Sequence, residues 1–369
     1  AAQLSNRQTS SSAIEQTAQQ LLRLMGERYT TGQLDNLGIL HSVPEMAVDA
    51  WPDRIGAQRS GTEQRYLLAT GRGAVLSPRA GCTGAPFLVA LQVDGGEGAD
   101  GVIHQAVGLK PEQLYRCARH LISTQRQVRW DAAADRVVAA EQERIGAVLL
   151  ASRQIQASDA EAGALLLDQI RRNGIRLLHW TTASRQLQAR VAMAAALLPE
   201  DGWPDLSDDA LLQTLENWLL PHLTGIRSLQ GLQQIATVQL LQELVGWKQM
   251  QLLDSVVPAH LTIPSGRRVA LDYTDPEGPV LSAKLQELFG LATSPAVCRG
   301  RRAVLVHLLS PAGRPVAVTR DLKGFWERGY LEVRKELRGR YPKHPWPDDP
   351  WNAVATNKTK KGLEKGRTG

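Results

Sequence analysis

Arg54-Ile-Gly-Ala-Gln-Arg59, Arg65-Tyr-Leu-Leu68, Gly73-Ala-Val-Leu76, Phe87-Leu-Val-Ala-Leu-Gln-Val93 and Val102-Ile-His-Gln-Ala-Val107 are five short runs, rich in strand-forming residues and separated by Gly and Pro. Successive side chains of a strand leave on opposite faces, so a period of two marks a half-buried strand, and the Gly/Pro clusters mark the turns between strands. Five such strands between residues 54 and 110 predict a small OB-like β-barrel, because closing on itself removes the edges of a short antiparallel sheet.

Outward from this stretch the period changes. Upstream, Ile14, Leu21, Leu22 and Leu24 keep a helical spacing, and a second helix after Pro44 (Met46, Val48, Ala50, Trp51) stops near Pro52. Residues 1–53 are therefore read as the remnant of a helical bundle, and a chain already helical near its start is expected to be a piece of a larger polypeptide. Downstream, residues 111–157 predict a helix opened by Pro111, followed by a β-meander over 125–130, 136–144 and 145–153. Residues 158–257 predict a helical domain with helices at 158–172, 182–198, 207–220 and 228–245; Ser158 with Glu161 forms a capping box, and Ser207 caps an acidic first turn. Residues 258–351 predict a C-terminal α/β domain, with a helix at 283–288, strands at 303–309 and 316–319 joined by a Pro311–Pro315 turn, and two short helices at 321–328 and 330–337. Residues 352–369 have almost no apolar content and predict a disordered tail. The fold class is thus α+β and multidomain.

The 369 residues include 43 Lys and Arg, 37 Asp and Glu, three Cys and 43% hydrophobic residues, a composition of globular proteins long enough for two or three cores. Cys82, Cys117 and Cys298 are widely spaced and no signal-peptide pattern precedes them, so a cytoplasmic location is expected. The longest apolar run, residues 191–198, is far short of the roughly 18–20 residues a membrane helix needs, and no membrane partner is expected. The net charge of +6 is confined to one end: residues 320–369 hold 13 basic and 7 acidic residues, leaving the first 319 balanced. That asymmetry fits either a tail that meets an acidic polymer or a solvated basic terminus.

Catalytic motifs are missing. Gly96, Gly98 and Gly101 satisfy G-x-G-x-x-G, but a strand pattern follows instead of the helix that would receive a pyrophosphate, so a hairpin loop is the reading. One copy of a calcium-type G-G-x-G-x-D repeat does not build that architecture. No Gly-Lys dipeptide, G-x-S-x-G elbow or H-E-x-x-H helix occurs. Cys117 and His120 are at most half a metal site, read as core and surface. His344 has no nucleophile beside it. Neither catalytic nor metal-ligating residues are assigned.

Two groups of residues suit binding. Arg54, Arg59, Arg65 and Arg72 lie on or beside the barrel strands with Tyr66 between them, as on a surface that follows a phosphate backbone and stacks bases; the alternative is a solvated strand face with Tyr66 in the core. Arg338, Arg340 and Lys343 stand among Tyr341 and Trp346, a mixture that stacks on bases, or in which Trp326, Tyr341 and Trp346 pin the end of the chain and the cations are merely exposed.

Trp51-Pro-Asp-Arg-Ile55 followed by Arg65-Tyr-Leu-Leu-Ala-Thr-Gly-Arg-Gly-Ala74 resembles the passage from helical bundle to OB fold in the HrpB family of bacterial DEAH-box RNA helicases. Val316-Ala-Val-Thr-Arg-Asp-Leu-Lys-Gly-Phe-Trp326 and Tyr330-Leu-Glu-Val-Arg-Lys-Glu-Leu-Arg-Gly-Arg-Tyr-Pro-Lys-His-Pro-Trp-Pro-Asp-Asp-Pro350 are similar to the signature of that family's C-terminal domain. The resemblance runs from the end of the helical bundle to the C-terminus. It implies that the RecA-like motor domains, with ATP, Mg²⁺ and the catalytic residues, lie upstream, so this chain holds no cofactor and is no enzyme alone. It also implies that the OB region lines the RNA channel and receives accessory proteins, with Arg54, Arg65 and Arg72 matching the family pattern. The expected function is an accessory, non-catalytic portion of an ATP-dependent RNA helicase that binds single-stranded RNA or DNA and braces its own RecA-like domains. The rival is a docking scaffold whose basic tail meets an acidic partner protein.

Overall fold

The computed structural model describes residues 39–61, 64–80, 82, 84–94 and 100–361. The helical spacing over 14–24, the glycine loop at 95–99 and tail residues 362–369 lie outside the described residues. The chain forms two compact units, one ending at Arg129 but including Val138–Ala157, the other comprising Trp130–Val137 and the chain from Ser158 onward.

In the first unit, α1 (Ile39–Ala50) carries Pro44 inside the helix instead of before it. A 3₁₀ turn at Pro52–Arg54 feeds β1 (Ile55–Gln58), followed by β2 (Arg65–Leu68), β3 (Gly73–Leu76), β4 (Phe87–Val93) and β5 (Asp100–Leu109). These strands close into a barrel in the order β1-β2-β3-β5-β4. All pairs are antiparallel except β3–β5, which is parallel. The five sequence runs thus meet the five strands almost residue for residue. Tyr66, Leu68, Leu76, Leu88 and Ile103 fill the interior. Ile55, Val89 and Leu109 point outward on one flank, where α1, α2 (Pro111–Cys117) and Ile145 cover them. Each such aliphatic side chain, once fully buried, contributes about 1.5–3 kcal/mol.

The meander becomes β6 (Ser123–Asp131), β7 (Arg136–Ile145) and β8 (Val148–Ile155), in that order in a three-stranded sheet. Gly146 in the β7–β8 turn has φ +53°. The next residue, Ala147, donates its N–H to Ala69 O at 2.8 Å. A Cβ at Gly146 would lie 3.0 Å from the Ala69 carbonyl carbon.

In the second unit, helices α3 (Asp159–Asn173) and α4 (Thr182–Leu197) start at Ser158 and Thr181, whose side chains cap them. The Ser158–Glu161 capping box forms in both directions, with Glu161 accepting from Ser158 N–H at 2.8 Å. The expected helix at 207–220 is split into α5 (Asp208–Gln213) and α6 (Leu215–Trp218), because the Thr214 hydroxyl bonds back to Ala210 O. The helix expected at 228–245 is likewise split into α7 (Leu229–Leu232) and α8 (Thr237–Val245). Gly246, at φ +79°, ends α8 and starts an unanticipated α9 (Trp247–Val256).

The sheet that follows contains β9 (His260–Thr262), β10 (Arg268–Asp272) and β11 (Val280–Lys284), and continues after the two-residue ladder β12 (Ala296–Val297) with β13 (Arg302–Ala303). Strands β14 (Leu305–Leu309) and β15 (Pro315–Thr319) complete it in the order β15-β14-β11-β10-β9. Ala283, expected to begin a helix, lies in β11, and only a 3₁₀ turn at Leu285–Leu288 follows.

No boundary separates the helices from this sheet, contrary to the division at residue 257. Arg190 of α4, almost fully buried, donates to Val257 O at 2.7 Å and pairs with Asp254 at 2.5 Å. Gln186 accepts from the Tyr273 N–H at 2.9 Å and donates to Asp272. Helix α10 (Leu322–Gly324), a π turn at Phe325–Gly329 and α11 (Tyr330–Arg340) form one continuous arm. Tyr330 packs edge to face with both Phe289 and Trp326, and Phe289 meets Trp326 at a tilt of 48°. The described part of the tail is ordered, not disordered: Thr356 is buried, its N–H bonds Gln286 O at 2.9 Å, and Lys360 N–H bonds Lys343 O at 2.9 Å. Backbone hydrogen bonds to the domain surface replace the apolar content that the tail lacks.

Substitution Gly146→Ala is expected to lower the unfolding free energy by about 2 kcal/mol, through strain plus the clash at Ala69. Gly71→Ala, at φ +87° but in ordinary contact only, is expected to lower it by about 1 kcal/mol. Urea unfolding of both variants checks this, and equal losses would contradict the clash.

Candidate nucleic-acid interface

One barrel flank lies under α1 and α2; the other carries the exposed residues Arg59, Arg65 and Val102. On it Arg59, whose N–H donates to Arg65 O at 2.8 Å, begins a cross-strand row that continues through Arg65, Val75 and Val102. The neighbouring row is Ala57, Leu67, Gly73 and Asp100. Arg59 reaches diagonally across it: a Cβ on Gly73 would lie 3.3 Å from Arg59 Nη2 and against the Asp100 carboxylate. A Cβ on Gly101 would lie 3.7 Å from Arg72 Nε. Gly73 of β3 pairs with Asp100 and Gly101 of β5 with Ala74, so the two glycines stand in adjacent rows, the first beside Arg59 Nη2 and the second beside Arg72 Nε. Beside them Asp94 accepts from Val102 N–H at 2.9 Å and faces His104 Nε2 at 3.0 Å. The bond from His104, reinforced by that N–H, holds the Asp94 carboxyl below the usual carboxylate range.

Two sequence-assigned residues serve the fold instead. Arg54 is half-buried in the 3₁₀ turn and donates to Leu91 O at 3.1 Å, tying the start of β1 to β4. Tyr66 is fully buried and its hydroxyl donates to Ala85 O at 2.8 Å. Its ring is core, which leaves no face for a base; burial, then the nearby Cys82, pushes the phenol pKa up.

Arg338, Arg340 and Lys343 are exposed on α11 and the turn after it, in the second unit. Arg340 is 4.0 Å from Glu336. The aromatic residues of that run face inward: Trp346 is buried with Nε1–H donating to Tyr341 O at 2.9 Å, and Trp326 donates to Leu291 O at 2.9 Å. Arg334, in the same run, bonds Trp346 O at 3.1 Å and pairs with Asp348. His344 Nδ1 meets Gln286 Oε1 at 3.1 Å, and its pKa is lowered by burial and then by Lys284. Cys117 packs against the core around Leu114, and exposed His120 lies 3.6 Å from Asp49. Among the described residues no group of three or more His, Cys, Asp or Glu could hold a metal ion, and no helix is long and apolar enough to cross a membrane.

Residues 218–350 match the family model described as "ATP-dependent helicase C-terminal", and residues 121–155 match "ATP-dependent RNA helicase HrpB, connector region". Over these residues the chain is similar to the C-terminal region of the HrpB family. It is 39% identical over 351 residues to the Escherichia coli (strain K12) protein named ATP-dependent RNA helicase HrpB, covering 95% of this chain and 42% of that protein. A crystal structure titled as the E. coli DExH-box NTPase HrpB matches with a TM-score of 0.54 at 37% identity, covering 94% of this chain and 42% of that one. This chain thus spans less than half the length of the HrpB proteins it matches. The β6–β8 sheet is the HrpB connector, and α11 with its exposed cations falls within the HrpB C-terminal match.

Arg54→Ala and Tyr66→Phe are each expected to lower stability by about 1 kcal/mol through a lost bond to a backbone carbonyl. Arg65→Ala is expected to stay within about 0.5 kcal/mol of the parent. Thermal unfolding of the three variants separates the fold-holding from the surface positions.

Proposed function

We propose that this chain is the accessory, non-catalytic C-terminal part of an ATP-dependent RNA helicase, binding single-stranded RNA and bracing the motor domains. Likeness to the E. coli RNA helicase over 95% of the chain carries the reading. The barrel supports it: the order β1-β2-β3-β5-β4 with a parallel β3–β5 pair is that of an OB-type barrel, whose β2–β3 face binds oligonucleotides. Arg59, Arg65 and Arg72 lie on or beside that face. Arg338, Arg340 and Lys343 offer a second, mainly electrostatic contact, since Trp346 is buried and Tyr341 half-buried. ATP and Mg²⁺ would be held by upstream RecA-like domains, because the residues here include no phosphate cradle. The cytoplasm is the compartment where such a helicase part would work, and an accessory protein would dock on the OB-type barrel.

Anisotropy of fluorescein-labelled U20 RNA tests this. Binding is expected to weaken log-linearly with salt. Arg59→Ala with Arg65→Ala is expected to flatten the slope by about 1.4, and Arg338→Ala/Arg340→Ala/Lys343→Ala by about 2, at roughly 0.7 per single-strand phosphate contact. No binding at low salt would turn the reading to a docking scaffold for an acidic protein. ATP turnover by this chain alone would refute the non-catalytic assignment.

A further inference from the structure

The connector sheet is exposed on both faces along β6, and the two faces differ in chemistry. Alternation puts Ser123, Gln125, Gln127 and Arg129 on one side and Thr124, Arg126 and Val128 on the other. Gln142 Nε2 donates to Gln127 Oε1 at 2.9 Å, and Arg144 Nε donates to Gln142 Oε1 at 3.0 Å, so the even-numbered residues of β7 share the Gln127 face. The pairs Gln142–Ser152 and Ala140–Gln154 add those two residues of β8. Between Ser123 and Arg129 on β6, and across these partners on β7 and β8, the face holds Arg129 and Arg144 and no carboxylate. Glu141 and Glu143 lie on the opposite face, where they meet Arg153 and the Tyr115 hydroxyl. Asp131, next in the alternation, sits at the hairpin turn with its Oδ1 taken by the Ala133 N–H.

The ladder also fixes which atoms remain for solvent. Arginine is a donor only, so Gln142 must turn its oxygen to Arg144 and its amide nitrogen to Gln127. Gln127 must then spend its oxygen on Gln142, which leaves its own N–H groups outward. Arg129, on the same face, adds donors and a positive charge. Each amide oxygen of the ladder already accepts one bond, while the Gln127 N–H groups and the Arg129 charge face solvent. An extended ligand that fits is rich in acceptors, negative and poor in donors. A phosphodiester backbone is that ligand. A neutral peptide strand brings no charge to meet Arg129 and Arg144.

We propose that this face of the connector is a docking surface for the backbone of single-stranded RNA, additional to the barrel face. The proposal rests on the reading that the chain binds RNA. With no aromatic ring on this face, contact runs through phosphates and is independent of base sequence.

The test compares two double variants of equal charge in the full chain, titrated with fluorescein-labelled U20. Gln125→Glu with Gln154→Glu places two carboxylates on the donor face; Thr124→Glu with Ala151→Glu places two on the opposite face, all four positions being exposed. The first pair is expected to weaken binding at least tenfold and the second less than twofold, with thermal unfolding unchanged in both. If the first pair fails to fold, Arg129→Gln on the same face replaces it, with an expected loss of about 0.7 in the salt slope; if the second fails, Thr124→Glu alone serves as the opposite-face control. Equal losses from both pairs, or no loss from the first, would overturn the proposal, and the helicase reading would stand if the barrel variants still lose binding. Failure of the parent chain to bind U20 at low salt would remove that reading as well. Retained RNA binding by the first pair together with lost binding of poly-glutamate would point to a protein partner instead.

Discussion

Strand β1 is hydrogen-bonded along both edges, to β2 through Gly56–Leu68 and to β4 through Gly56–Leu88. This double pairing closes the barrel, and the arrangement of the first unit follows from it. Closure leaves no edge strand open and divides the side chains strictly into interior and exterior sets. A Cβ on Gly56 would lie 3.1 Å from Leu68 and 3.3 Å from Leu88, so the approach of three strands depends on a residue that has none. The exterior set is then unequal. Ile55, Val89 and Leu109 require cover and receive α1 and α2, which leaves the Arg59–Arg65 flank as the accessible one.

Burial sorts the arginines into two roles. Where a guanidinium reaches an otherwise unmatched carbonyl it becomes part of the frame, as Arg54 does at Leu91, Arg190 at Val257 and Arg334 at Trp346. A donor with five N–H groups suits this task, because one side chain can satisfy a backbone oxygen and a carboxylate together. Arg59, Arg65, Arg338 and Arg340 keep their charge at the surface. Net charge alone does not distinguish the two kinds. The basic C-terminal segment contains both, and the polarity of the region available to a partner is set by which cations the carbonyls have taken.

The connector adds a different principle. Its sheet is thin and solvated, with little apolar surface to specify it, and its hydrogen-bonded side-chain ladder does on the surface what packing does in a core. Arg144, Gln142 and Gln127 each fix the orientation of the next. The direction of those bonds, which composition does not register, decides which polar groups of the ladder face solvent.

The strands of the barrel and the caps of α3 and α4 were legible in the sequence because they rest on local rules: alternation across a pleat, Gly and Pro at turns, a hydroxyl three residues before a free N–H. The HrpB resemblance was legible in the aromatic and basic run from Tyr330 to Pro350. Legibility ended where distant residues decide. The helices expected at 207–220 and 228–245 are each split in two, although the apolar spacing would carry each of them through. The tail from Asn352 to Lys361 is held by carbonyls of Gln286 and Lys343 that no local pattern announces. At the binding face, local sequence placed Arg59, Arg65 and Arg72 near one another but could not tell Arg54 from them. Tyr66 had two open readings. Only the closed barrel, by turning every second residue of β2 inward and bringing Leu91 within reach of Arg54, assigned the ring to the core and that cation to the fold.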